Sequence, residues 1–182
     1  MLRLEEFTKE RYKDYKELYD EFINNNSDLV PDVLELKCDN EEDYDNILKE
    51  LENRKNGNHA DADWYFDGHY YMAYDEDRLV GLGCIRNNLT PKAEEVWGHI
   101  AAGVRPSERK KGYATQMVEL LLDEAGKLGI EDAILCHYEQ NQISPKILNR
   151  LGIELLNKTT SEYSGKTIYR YGCKTKKKVI RK

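Results

Sequence analysis

Gly98-His-Ile-Ala-Ala-Gly-Val-Arg-Pro-Ser-Glu-Arg-Lys-Lys-Gly-Tyr-Ala-Thr115 is the stretch on which the reading of this chain turns. A strand placed at about Glu95 to Val104 ends at Pro106. A helix then carries Ala114, Met117, Val118, Leu121, Leu122, Ala125 and Leu128 on one face and closes at Gly129. Between them lies a basic loop that contains a glycine. A helix start leaves several N–H groups without partners and carries a partial positive charge, so backbone alone can hold a phosphate there. Gly112 has no side chain to block that approach, and small Ala114 leaves room in the first turn. Arg109, Lys110 and Lys111 add formal positive charge. The segment reads as an anion-binding turn; the competing reading is a charged loop before an ordinary helix. Its spacing fits neither GxxxxGK[ST] nor GxGxxG with an acidic residue on a second strand.

The flanking sequence alternates strands and helices. Leu2, Leu4 and Phe7 suggest a short first strand, and Tyr12, Tyr15, Leu18, Tyr19, Phe22 and Ile23 recur at helical spacing until Asn24-Asn25-Asn26-Ser27. After Pro31 a second helical pattern runs through Tyr44, Ile47, Leu48 and Leu51 to Asn56-Gly57, and the two helices form a capping layer. Trp64 to Tyr74 and Arg78 to Arg86 read as an antiparallel hairpin around Asp75-Glu76-Asp77. Past the central helix, Ala133 to Cys136 is a buried strand, and Ser144-Pro145 opens a helix carrying Ile147, Leu148 and Leu151 before Gly152. Two final strands, near Glu154 to Thr160 and Lys166 to Lys174, flank a turn at Ser164-Gly165.

The 182 residues, 40% hydrophobic and 34% charged, suit one compact domain. Residues 1–60 would supply the strand and two helices beside an acceptor site, 61–174 the core, and 175–182 a basic tail. A net charge of −6 and a pI of about 5.4 argue against a general nucleic-acid binder. The first residues lack the apolar run of a secretory signal, and no stretch is long enough to span a membrane, so a cytoplasmic protein is expected. Cys38, Cys84, Cys136 and Cys173 contain no CxxC pair, so buried reduced thiols are expected and no metal. The ending KTKKKVIRK reads as a solvated terminus, with a nucleic-acid contact as its alternative.

Val104-Arg-Pro-Ser-Glu-Arg-Lys-Lys-Gly-Tyr-Ala114 resembles the acyl-CoA loop of the GNAT superfamily of N-acetyltransferases, whose signature is [Q/R]xxGx[G/A]. Arg109, Gly112 and Ala114 occupy the three defining positions. Asn141-Gln-Ile-Ser-Pro-Lys-Ile-Leu-Asn-Arg-Leu-Gly152 resembles the family's N-x-x-[S/A]…LG region. The resemblance covers about Trp64 to Gly172, and the run into Gly98-His99 is similar to a bacterial branch of the family. It implies an α/β (α+β) fold with a mixed central sheet, splayed open between Ile100 to Val104 and Ala133 to Cys136 and flanked by helices. Acetyl-CoA, as co-substrate, would lie in the gap. Backbone groups of Ala102 and Val104 would pair with the pantetheine amides. Those of Arg109, Lys110, Lys111, Gly112, Tyr113, Ala114 and Thr115 would hold the pyrophosphate, and Asn141 and Ser144 would flank the pantetheine arm. The acceptor would be a small-molecule or peptide amine that attacks the thioester directly, with no covalent enzyme intermediate and with a homodimer left open.

The sequence also departs from the pattern. Many members carry a tyrosine seven residues after the asparagine to protonate the thiolate; here that residue is Leu148. Tyr138, a water or another group takes its place, or the thiolate leaves unaided. For the base, His99 near the start of the central strand has a suitable intrinsic pKa, with Glu94 and Glu95 as carboxylate alternatives; His99 reads equally as a strand histidine satisfied by a backbone carbonyl. Ser144 before Pro145 is a good N-cap. Trp64, Tyr65, Tyr70, Tyr71 and Tyr74 either line an acceptor pocket or fill the core. Two classes of function remain at this level, an active N-acetyltransferase and an idle acyl-CoA-binding sensor or scaffold.

Overall fold

A computed structural model describes residues 1–57 and 66–175. Its strands form two antiparallel sheets. The first has the order β1-β2-β3-β4, from Arg3–Glu6, Asp67–Asp75, Arg78–Asn87 and Ile100–Val104. The second has the order β5-β7-β6, where β5 is Asp132–Tyr138, β6 is Glu154–Thr160 and β7 is Thr167–Lys174. Among the described residues no ladder joins β4 to β5; the sheets meet at one bridge between Gly98 and Leu135. The split expected between residues 100–104 and 133–136 is therefore present.

The helices that cover these sheets follow from the apolar stripes of the sequence. α1 (Tyr12–Asn24) and α2 (Glu41–Lys55) bury Tyr15, Leu18, Phe22, Tyr44 and Ile47 against Met72, Leu82 and Cys84 on the front of the first sheet. α4 (Tyr113–Lys127) covers the back. A Cβ added to Gly83 would lie 2.8 Å from Leu121, so the absent side chain lets the helix close on the strand. Leu121, Val118 and Ala125 share one cluster with Ile85, Ile100, Leu135 and Tyr171, and α5 (Ser144–Arg150) adds Leu148. This back core spans both sheets and holds them together while their front edges part. Each such large apolar side chain contributes about 1.5–3 kcal/mol on burial.

One element differs from the sequence reading. Residues 91–96 form a short helix, α3 (Pro91–Val96), so the central strand begins at Ile100 and Glu95 is helical. The cause is a start signal within the loop: Thr90 Oγ1 accepts the Ala93 N–H at 3.3 Å, Pro91 opens the first turn, and Ala93 and Val96 are buried. Tyr70 and Tyr74 are core residues and Tyr71 is half-buried. Trp64, Tyr65 and most of the basic tail lie outside the described residues. All four cysteines are unpaired, and burial pushes the thiols of Cys38 to about 11 and of Cys84 and Cys136 to about 12. Among the described residues no helix is long and apolar enough to cross a membrane, and no group of side chains could hold a metal ion.

Candidate active site

The β3–β4 ladder decides which backbone groups face the gap. The Arg86 N–H donates to the His99 carbonyl at 2.7 Å and the Arg105 N–H to that of Val80 at 2.8 Å. In an antiparallel pair only alternate residues turn both groups toward the partner. Ala101 and Gly103 therefore turn both groups to β3, joined by the His99 carbonyl and the Arg105 N–H, whereas Ile100, Ala102 and Val104 turn N–H and C=O to the open edge. The Val104 carbonyl accepts from Arg109 Nε at 3.2 Å on that side.

Beyond β4 the chain makes a 3₁₀ turn at Pro106–Glu108, and α1 clamps it. Arg105 is buried and donates through Nε to Glu21 Oε2 at 2.6 Å, while Glu21 Oε1 accepts the Ser107 N–H. Burial opposes ionisation of Glu21, but these bonds to Arg105 and Ser107 outweigh it and hold the carboxyl below its ordinary range. Lys110 and Gly112 then adopt left-handed conformations with φ of 65° and 86°. Gly112 is the N-cap of α4. No side chain caps the helix, no acidic residue occupies its first turn, and a Cβ added at Gly112 would meet nothing within 4 Å.

By helix geometry the N–H groups of Gly112, Tyr113, Ala114 and Thr115 have no intrahelical partner. Lys111 pairs with Glu108 at 2.7 Å, and exposed Arg109 and Lys110 leave their charge beside the turn. The Tyr113 side chain turns away to Asp75 Oδ2 at 2.8 Å, so the residue contributes its backbone. This donor set, N–H groups without intrahelical partners at a positive helix end beside two cations that have no carboxylate partner among the described residues, suits a pyrophosphate.

The second expected cofactor segment is organised differently from the sequence reading. Ile143 is the N-cap of α5 and Ser144 its first residue; Asn141 Oδ1, rather than the Ser144 hydroxyl, accepts the N–H groups of Ile143 and Ser144 at 3.0 Å each. Asn141 is nearer the turn and its acceptor reaches both donors. Leu148 is 5% exposed and belongs to the back core, which gives its apolar chain a packing role.

At the junction of the sheets the His99 N–H donates to the Ile134 carbonyl at 2.7 Å, and the Ile134 N–H donates to His99 Nδ1 at 3.0 Å. The ring is satisfied by a backbone N–H, not by a carbonyl. Nδ1 is thus an acceptor and the proton of the neutral ring resides on Nε2. Burial lowers the His99 pKa, against the opposing charge of Glu94. Glu95 is directed elsewhere: with Pro91, Lys92, Val96, Ser161, Glu162 and Tyr163 it lines a pocket of about 280 Å³. Helical geometry sends adjacent residues to different faces, so it is Glu94 that meets Arg170 of β7, at 3.1 Å. Tyr138 ends β5 half-buried, with Lys166 Nζ 5.4 Å from its ring centre, and its carbonyl accepts the Asn141 N–H at 2.9 Å.

A polar network on the front face escaped the sequence reading. Asp32 accepts from Arg54 at 2.7 Å, from the Tyr70 hydroxyl at 3.1 and 3.2 Å, and from Arg86 at 3.3 Å. The one signal in the sequence is Arg86 itself, a cation ending the apolar run from Leu79.

The GNAT acetyltransferase family model matches residues 31–153, more than half of the chain, and the chain belongs to that family. Solved structures share its fold. A Salmonella typhimurium acetyltransferase that modifies the N-terminal serine of ribosomal protein L7/L12 aligns over 96% of this chain and 95% of its own, with 12% identity and a TM-score of 0.66. The acetyltransferase yncA of the same organism, solved with acetyl-CoA, gives 100% and 98% coverage, 14% identity and a TM-score of 0.63. The spermidine/spermine N-acetyltransferase SpeG of Vibrio cholerae gives 96% and 95%, 13% and 0.61. No curated protein matches the chain.

Proposed function

We propose that this chain transfers the acetyl group of acetyl-CoA to an amine by direct attack. The observation that carries the reading is the open edge at Ala102 and Val104 leading into the uncapped start of α4 at Gly112. The edge offers donors and acceptors spaced for the pantetheine amides, and the turn offers N–H groups and positive charge for the pyrophosphate. Relatives support it: yncA was solved with acetyl-CoA, and SpeG acts on spermidine and spermine.

In the reaction an ammonium first loses one proton. The amine nitrogen forms a bond to the thioester carbon, the C–S bond breaks, and the second nitrogen proton is lost as CoA leaves and its thiolate takes up one. We assign the first proton to Glu94, the carboxylate that the fold brings beside His99, in place of Glu95. His99 holds the junction, since its Nδ1 is engaged by Ile134 and its Nε2 bears hydrogen. Calorimetric titration with CoA and an assay of thiol release over a panel of amines test the reading. Binding with amine-dependent release is expected; absence of CoA binding at millimolar concentration overturns it. Burial of Leu148 where a thiolate-protonating tyrosine would stand favours one second reading, an acyl-CoA-binding sensor, which binding without release from any amine would establish.

A further inference from the structure

Two guanidinium groups flank the junction of the sheets from opposite sides. Arg86 comes from β3 and is 6% exposed; its side chain shares the front face with His99, to which it stands directly opposite in the ladder. Arg170 comes from β7, opposite Cys136. Cys136 Sγ donates to the Glu94 and Glu95 carbonyls at 3.7 and 3.6 Å, and Gly98, next to His99, bridges Leu135, next to Cys136, so the strands that carry the two cations meet at one junction. Among the described residues each cation is held by one carboxylate through one terminal nitrogen, Arg86 by Asp32 at 3.3 Å and Arg170 by Glu94 at 3.1 Å. Each leaves its Nε–H buried without a hydrogen-bond partner among the described residues. Buried guanidinium donors are rarely left unpaired, and two of them at one junction, on different strands, form an incomplete anion site. A carboxylate is the planar anion that matches guanidinium N–H geometry.

We propose that Arg86 and Arg170 bind a carboxylate of the acceptor, so that the acceptor is an amino acid or a similarly anionic amine. This rests on the acetyltransferase reading and names the substrate class within it. The acceptor's carboxylate completes the two Nε–H groups, and its ammonium lies toward Glu94, which already balances Arg170. A polyamine has no group to satisfy either guanidinium and brings more positive charge to them.

The test measures thiol release from acetyl-CoA with free L-amino acids, the matching C-terminal amides, and spermidine. At least one free amino acid is expected to exceed its amide in kcat/KM by about tenfold or more, because a buried donor left unpaired discriminates against the analogue that lacks its partner. Arg86→Gln should raise KM for the acid with a smaller change in kcat and bring the acid-to-amide ratio of kcat/KM close to one; Arg170→Gln also frees the Glu94 carboxylate and is read by the same ratio, which should again fall close to one. Melting temperature and CoA affinity of each variant separate a folding defect from lost recognition, and the less buried Arg170 keeps the test open if Arg86→Gln does not fold. Spermidine or the amides used as well as the acids, or variants that lower acid and amide rates alike, would overturn the proposal while leaving the transferase reading intact. Failure of CoA itself to bind would remove both.

Discussion

The turn proposed to hold the cofactor and the front polar face lie on either side of the same strand, yet they are made from different materials. The turn from Arg109 to Thr115 is exposed as far as Gly112 and half-buried beyond it, offers backbone N–H groups, and carries one glycine at φ 86°. The front face, with Asp32, Arg54, Tyr70, Arg86, Glu94 and Arg170, is made of side chains supplied by six separate elements. A ligand common to a family can be held by backbone that many sequences supply, because N–H groups do not depend on residue type. A ligand peculiar to one protein must be read by side chains, which can change without altering the fold.

Substitutions confined to one side should leave the other intact, and the largest effect is expected on the front. Glu94→Gln should lower turnover by about 10²–10⁴-fold, the usual contribution of a proton acceptor, with CoA affinity unchanged by calorimetry. Full turnover in this variant would return the assignment to His99 or to an amine that arrives neutral. Gly112→Val should do the reverse. A branched side chain at a left-handed φ obstructs the phosphate path, and losing two charge-assisted bonds of about 1.5 kcal/mol each weakens CoA by roughly 100-fold. Unchanged CoA affinity at normal thermal stability would show that the pyrophosphate lies elsewhere.

Smaller effects sharpen the contrast. Leu148→Tyr would supply a phenol where relatives of the pattern place one, but Leu148 is packed in the back core. The variant should gain no turnover and lose about 1–3 kcal/mol from overpacking, measured by denaturant unfolding; a rise in kcat would mean that the position reaches the thioester. Glu21→Gln tests the clamp between the two sides. Losing a charge-assisted bond to Arg105 should cost about 1.5 kcal/mol, a fall of roughly 3–6 °C in melting temperature at pH 7. Because the Glu21 pKa is lowered on folding, its contribution is present above the ordinary value of 4.5 and disappears as the pH falls through the folded value. The difference between wild type and variant should therefore close in acid; a constant difference would assign the effect to packing.

Read from the sequence alone, the turn was legible because its requirements are local: a strand end, a left-handed glycine and a helix start occur within consecutive residues. The amphipathic stripes of α1, α2 and α4 and the hairpin at residues 67–87 were legible for the same reason, since periodicity reports which face is buried. Helix α3, signalled by Thr90-Pro91, went unread and overlaps the residues given to the central strand at Glu95 and Val96, which misplaced Glu95.

Asn141 over Ser144 as the acceptor at the start of α5, the Ile134 N–H on His99, and the Asp32 and Arg170 partners were decided only by tertiary structure. Of these the first is local, a choice between neighbouring side chains that propensity does not rank. The others join residues 22 to 76 positions apart. Sequence by itself determined the elements and the backbone anion site, because both depend on neighbours along the chain. The side-chain site depends on which strands the fold brings together, and no local pattern encodes that.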